Sequence, residues 1–164
     1  MAIRFACALF FSLALGFGQI TPSEAFDKMR SLVGTWKQSD ARTSAGAAFR
    51  ISYRMISRDT AIVESFGDPA KGITETIYHR DGDHLMATHY CAQGNQPRLR
   101  MEESPAKNAV VFKFFDVTNL QNPRDSHLVR MRFDFIDGRH FKREEVYAEN
   151  GREESSVLTL ERVQ

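Results

Sequence analysis

Between Phe49 and Val163 several runs carry apolar residues at every second position, and they are divided by residues that make tight turns. Phe49, Ile51, Tyr53 and Met55 alternate with Arg50, Ser52 and Arg54. Val110, Phe112 and Phe114 alternate around Val111, Lys113 and Phe115, and Val129, Met131, Phe133 and Phe135 alternate with Arg130, Arg132 and Asp134. A two-residue period sends apolar side chains to one face of a strand and polar ones to the other. Asp68-Pro69-Ala70-Lys71-Gly72, Asp81-Gly82-Asp83, Gly94-Asn95, Ser104-Pro105-Ala106-Lys107-Asn108, Asp137-Gly138 and Asn150-Gly151 supply the turns. Asp-Gly and Asn-Gly tolerate the positive φ angles that hairpins need. The pattern predicts strands near 34–40, 47–57, 60–67, 73–80, 84–91, 97–103, 109–116, 126–136, 139–148 and 154–163. Nearly every link is of hairpin length, so the strands form a meander. An open meander leaves two bare edges, and closure removes them. A two-sheet sandwich needs longer crossovers. The predicted fold is all-β: an up-and-down antiparallel β-barrel of about 8–10 strands.

The N-terminus reads differently. Arg4 precedes an almost wholly apolar run, Phe5 to Gly18, with small residues at Gly16, Gly18, Ser23 and Ala25. A basic tip, an apolar stretch of roughly 7–15 residues and a small-residue cleavage site make a secretory signal. The run is short of the about 20 apolar residues of a membrane span. Residues 1–18 are therefore expected to be a signal peptide, with residue 25 the alternative end, and 19–164 one barrel domain. Export predicts a periplasmic or secreted protein without a stable membrane anchor. The mature chain keeps only Cys91, so no internal disulfide is expected. With 22 Lys and Arg against 21 Asp and Glu, no net field draws the chain to nucleic acid. Thr21 and Glu24 form a capping-box pattern with Pro22 in the first turn, which predicts one short helix that Gly34 ends.

Trp36 is the single tryptophan and follows that helix in Leu32-Val33-Gly34-Thr35-Trp36. A helical turn followed by Gly-x-Trp on the first strand resembles the calycin barrels, the lipocalins and fatty-acid-binding proteins. The resemblance implies that Gly34 and Trp36 close one barrel end and that Arg162 packs across the indole, which has a cation–π rationale. Two longer stretches, YHRDGDHLMATHYCAQGNQPRLR (Tyr78 to Arg100) and FDVTNL (Phe115 to Leu120), resemble secreted bacterial lipocalin-like proteins. That likeness implies a fold without an activity. Ser39 to Ala48 is too short for the two lid helices of fatty-acid-binding proteins, and the Gly-rich N-terminal run of nitrobindin-type haem barrels is missing.

The densest polar stretch is THYCAQGNQPR, Thr88 to Arg98. On its strand Leu85, Ala87, His89 and Cys91 share a face, and the small apolar pair predicts that this face is the lumen. His89 and Cys91 then lie inside near the rim as ligand contacts; a satisfied core histidine and a small buried thiol are the bland alternatives. Two ligands at i, i+2 do not make a metal site. Tyr53, Tyr78, Asn119 and His127 are further hydrogen-bonding candidates. His140 with Glu144, or Arg143 with Glu145, offers a charged pair that would enter the lumen if its face points inward, against a solvated charged strand. Glu64 and Glu75 on adjacent strands can approach each other, with surface pairing to Arg54 or Arg50 the simpler expectation. No serine elbow, zinc helix, phosphate loop or CxxC is present, and nothing names a cofactor. The leading expectation is a barrel that binds a small hydrophobic or amphipathic molecule. The alternatives are an enzyme with His89 as general base oriented by Glu144, and a structural barrel whose lumen is filled by Phe112, Phe114, Phe133 and Phe135.

Overall fold

The computed structural model describes residues 19–68, 72–103 and 106–163; the expected signal segment lies outside them. Ten antiparallel strands close into one up-and-down barrel, each paired with its neighbours in sequence and the first with the last. They are β1 (Gly34–Gln38), β2 (Arg50–Ile56), β3 (Ala61–Asp68), β4 (Gly72–Asp81) and β5 (His84–Tyr90). The second half comprises β6 (Gln96–Glu102), β7 (Ala109–Thr118), β8 (His127–Phe135), β9 (His140–Glu149) and β10 (Arg152–Arg162). Closure is made by Trp36, Lys37 and Gln38 of β1 opposite Arg162, Glu161 and Leu160 of β10.

The helix α1 (Pro22–Arg30) starts at a complete capping box, in which Thr21 Oγ1 accepts from Glu24 N and Glu24 accepts from Thr21 N. It ends at Ser31, three residues before the Gly34 expected to stop it. Ala25, Phe26 and Met29 form its buried face, and Arg30 donates to Asp59 O in the β2–β3 turn. α1 therefore covers the end of the barrel that holds that turn. Trp36 seals the same end: its indole N–H donates to Leu32 O at 2.7 Å, and its ring meets Phe141 edge-on at 4.7 Å. The Arg162 guanidinium lies 4.3 Å from the indole centroid and donates to Val33 O and Ser31 O. Gly34 is required there. Its φ is +128°, and a Cβ would stand 2.7 Å from Arg162 Nη1.

The core runs up from this plug. Ile51, Ile62, Leu85, Ala87, Leu99, Val110, Phe112, Met131, Phe133, Phe141 and Leu160 all point inward and are buried. Full burial of each large apolar side chain contributes about 1.5–3 kcal/mol. Two details depart from the sequence reading. Residues 44–48, of which 47 and 48 were expected to begin a strand, form a short helix, α2 (Ser44–Ala48), capped by Thr43. Phe114, expected inside, is 41 % exposed. The β6–β7 register shifts at Arg98/Leu99, and β7 pairs with β8 only as far as Lys113, so Phe114 turns out against His127.

Candidate functional site

The inward face of β9 reads Phe141, Arg143, Glu145, Tyr147, from the plugged end towards the other. Phe141 joins the aromatic core. Arg143, two residues on, is a guanidinium with 1 % exposure inside a β-barrel. Burying it is costly unless its charge and donors are met. Glu64 on β3 meets them: Arg143 Nη2 donates to Glu64 Oε1 at 2.7 Å and Nε to Oε2 at 3.3 Å. Arg143 Nη2 also donates to Glu145 Oε1 at 2.8 Å. The guanidinium stacks 4.6 Å from the Phe66 centroid. Tyr78 Oη completes Glu64 by donating to Oε2 at 2.9 Å.

One level nearer the open end lies His89, 1 % exposed. Its Nδ1 is 2.9 Å from Thr76 Oγ1 and its Nε2 is 3.1 Å from Tyr147 Oη. Tyr147 Oη is also 3.9 Å from Cys91 Sγ, and the thiol contacts Gln93 Oε1. Thr76, His89 and Tyr147, with Cys91 at the rim, thus form a chain from the interior to the edge of the barrel.

The open end follows from strand lengths. β10 extends far past the end of β1 at Gln38, so part of it has no neighbour on that side. Glu154 and Ser156, opposite Tyr147 and Glu145, continue the lumen-facing row of Leu160 and Leu158, yet both are exposed. A cleft of about 330 Å³ opens here, lined by Tyr147, Glu149, Asn150, Arg152, Glu154 and Ser126. A second, about 320 Å³, adjoins it and includes Asn95 and Asn119. Tyr147 is the side chain that both lines the first cleft and bonds His89.

Charge in the cluster is set by its surroundings. Burial pushes the Arg143 guanidinium down, but Glu145 and Glu64 outweigh it, so Arg143 is held firmly cationic. Burial pushes the Glu145 carboxyl up, and Arg143 more than reverses this, leaving it below the usual carboxylate range. His89 goes the other way. Burial lowers its pKa, Glu145 only partly restores it, and the imidazole is neutral at pH 7. Burial first, and the Glu64 charge second, push the Tyr78 and Tyr53 phenols well up. Tyr53 differs from Tyr78 in one respect. It is 2 % exposed, beside Glu64, and its hydroxyl has no hydrogen-bond partner. Among the described residues no group of three or more His, Cys, Asp or Glu is placed to hold a metal.

The expected residues separate into three sets. Tyr53, Tyr78 and His89 are in the lumen, with Cys91 at its rim. Asn119 is an exposed turn residue with φ +56°, and its amide donates to Gly94 O. His140 and Glu144 face outward: His140 Nδ1 lies 3.0 Å from the Asp137 carboxylate, and Glu144 accepts from Arg130 and Ser155. Glu144 therefore does not orient His89; strand parity puts them on opposite sides of the wall. The pair that enters is Arg143 with Glu145. Glu64 is not a surface residue paired with Arg54 or Arg50, and it does not meet Glu75, which accepts from Ser65 on the outer face. Glu64 was misassigned, although Ile62-x-Glu64-x-Phe66 carried its signal: a carboxylate between two apolar residues on one strand face.

The chain matches no protein-family model and no curated protein. The fold and the site define it as a closed ten-stranded antiparallel barrel, compatible with a calycin-like fold, plugged at one end and carrying a buried charged cluster below the other.

Proposed function

We propose that this is an exported binding protein that takes a small, partly apolar molecule through the open end of the barrel. The observation that carries the reading is the Arg143–Glu64–Glu145 cluster inside the lumen. A barrel that only had to fold would do as well with apolar residues of similar volume there, since a buried ion pair is weak as a source of stability. Polar groups set in an apolar barrel are the usual means of orienting a ligand. The unpartnered Tyr53 hydroxyl adds to this, because a buried hydroxyl costs stability until something bonds it. Phe49 and Phe66, edge-to-face at 4.8 Å, offer an apolar wall beside Arg143.

Export rests on the N-terminal sequence, and the packing of α1 favours one cleavage site. Ile20 and Ala25 are buried, and cleavage after Ala25 would remove the Thr21–Glu24 capping box. A mature chain beginning at Gln19 keeps α1 whole.

The filled-barrel reading also has an observation behind it. The lower lumen is filled by Phe112, Phe133, Phe141 and Trp36. Native mass spectrometry of protein purified from its own host separates the two readings. A non-protein molecule retained at one per chain is expected. An empty barrel that is also unshifted in melting temperature by a panel of small apolar compounds would assign the fold to a structural role.

A further inference from the structure

The cluster does not close on itself. Its buried charges are two carboxylates, Glu64 and Glu145, and one guanidinium, Arg143, with His89 neutral beside them. One negative charge is left over in a low-dielectric interior, where it is costly unless paired. The two carboxylates are not equivalent. Glu64 is fully buried and accepts three hydrogen bonds, from Arg143 and Tyr78, whereas Glu145 retains 7 % exposure. Glu145 lies between Arg143 and Tyr147 on β9, towards the open end, so a molecule entering there reaches it first.

Two unfilled hydrogen-bond positions lie on the lumen and its rim. Tyr53 Oη is buried beside Glu64 without a well-formed hydrogen bond, able to donate or to accept. At the rim, Asn95 is 3 % exposed and its Oδ1 has no donor. Its orientation is fixed, because Nδ2 donates to Ser126 O at 2.9 Å. Asn95 Oδ1 can only accept. The lumen thus presents surplus negative charge, and its rim a vacant acceptor.

We propose that the ligand group this barrel recognises is a cation, a protonated amine that pairs with Glu145 while its apolar body lies against Phe49 and Phe66. This rests on the lumen being a binding site and adds the charge of what it takes. An anionic ligand would meet two carboxylates against one guanidinium already held by both. A neutral ligand would leave the surplus charge unpaired.

The test is a matched panel measured by calorimetry: n-butylammonium, 2-phenylethylammonium and tryptammonium, beside the alcohol and the carboxylate of each carbon skeleton. The ammonium compounds should bind about tenfold or more tighter than their alcohols, and the carboxylates weakest. Glu145→Gln should abolish the preference for ammonium over alcohol. Glu144→Gln, an equal charge change on the outer face of the same strand, should leave it intact. Alcohols binding as well as ammonium compounds, or carboxylates binding better, overturns the proposal and leaves a ligand-binding barrel standing. Binding by none of the panel counts against the binding site itself. The wild-type comparison decides the matter even if Glu145→Gln does not fold.

Discussion

Two tyrosines at the same depth should respond oppositely to loss of one oxygen. Tyr78 Oη donates to Glu64, so Tyr78→Phe leaves a buried carboxylate oxygen one donor short. Removing one partner of a buried hydrogen bond costs about 1–3 kcal/mol. Tyr53 Oη bonds nothing, so Tyr53→Phe removes an unsatisfied hydroxyl and should be neutral or stabilising. Urea denaturation of the two variants checks the pair, and equal destabilisation would show that Tyr53 is bonded after all. His89 falls in the first class. With a partner at each ring nitrogen it is not a loosely held rim residue, and His89→Ala should cost about 1–3 kcal/mol whether or not a ligand is present. The inward placing of His89 was legible from Leu85 and Ala87 on its face. That of Arg143 and Glu145 was legible in principle, since Phe141 and Tyr147 bracket them at two-residue spacing. Four consecutive charged residues, Lys142 to Glu145, masked that parity, because a charge run reads as solvated unless each alternate residue is assigned separately.

At the scale of elements, the weakest seam is the closing one. β1 is short, and its hold on β10 depends on Arg162 reaching across Trp36 to the carbonyls of Ser31 and Val33. Gly34→Ala forces a Cβ into that guanidinium and strains a left-handed φ, so it should cost more than the about 1 kcal/mol of an ordinary substitution. Hydrogen exchange should show protection of β1 and of residues 160–162 falling together in that variant, while β8 and β9, packed on both sides, keep theirs. Loss of protection in β1 alone would mean that the barrel ends are not coupled. All ten strands were legible because turn chemistry marks their ends and alternation marks their faces. α2 was not, since Ser-Ala-Gly-Ala-Ala carries no apolar period and owes its turn to the Thr43 cap. The β7 irregularity was not legible either. Phe112, Phe114 and Phe115 look alike in sequence, and only the register against β6 decides which faces out.

For the whole molecule, the buried cluster ties stability to pH in two steps. His89 has a folded pKa below that of a free imidazole, chiefly from burial. The unfolded chain therefore takes up a proton first as pH falls below about 6.5. Its contribution is full above that pH and is lost as pH falls through the folded value. Glu145 has a folded pKa below the usual carboxylate value, because Arg143 outweighs its burial. Its contribution is full above the unfolded value of about 4.3 and is lost as pH falls through the folded one. Acid should thus weaken the barrel first as pH falls below about 6.5 and again below about pH 4.3. Melting temperature followed from pH 8 to 3 measures both. His89→Gln, which keeps a side chain able to bond Thr76 or Tyr147 but does not titrate, should flatten the upper step and leave the lower one. Glu145→Gln should do the reverse. A pH profile of His89→Gln that keeps the upper slope would mean that the group sensing mild acid is not the histidine inside the barrel.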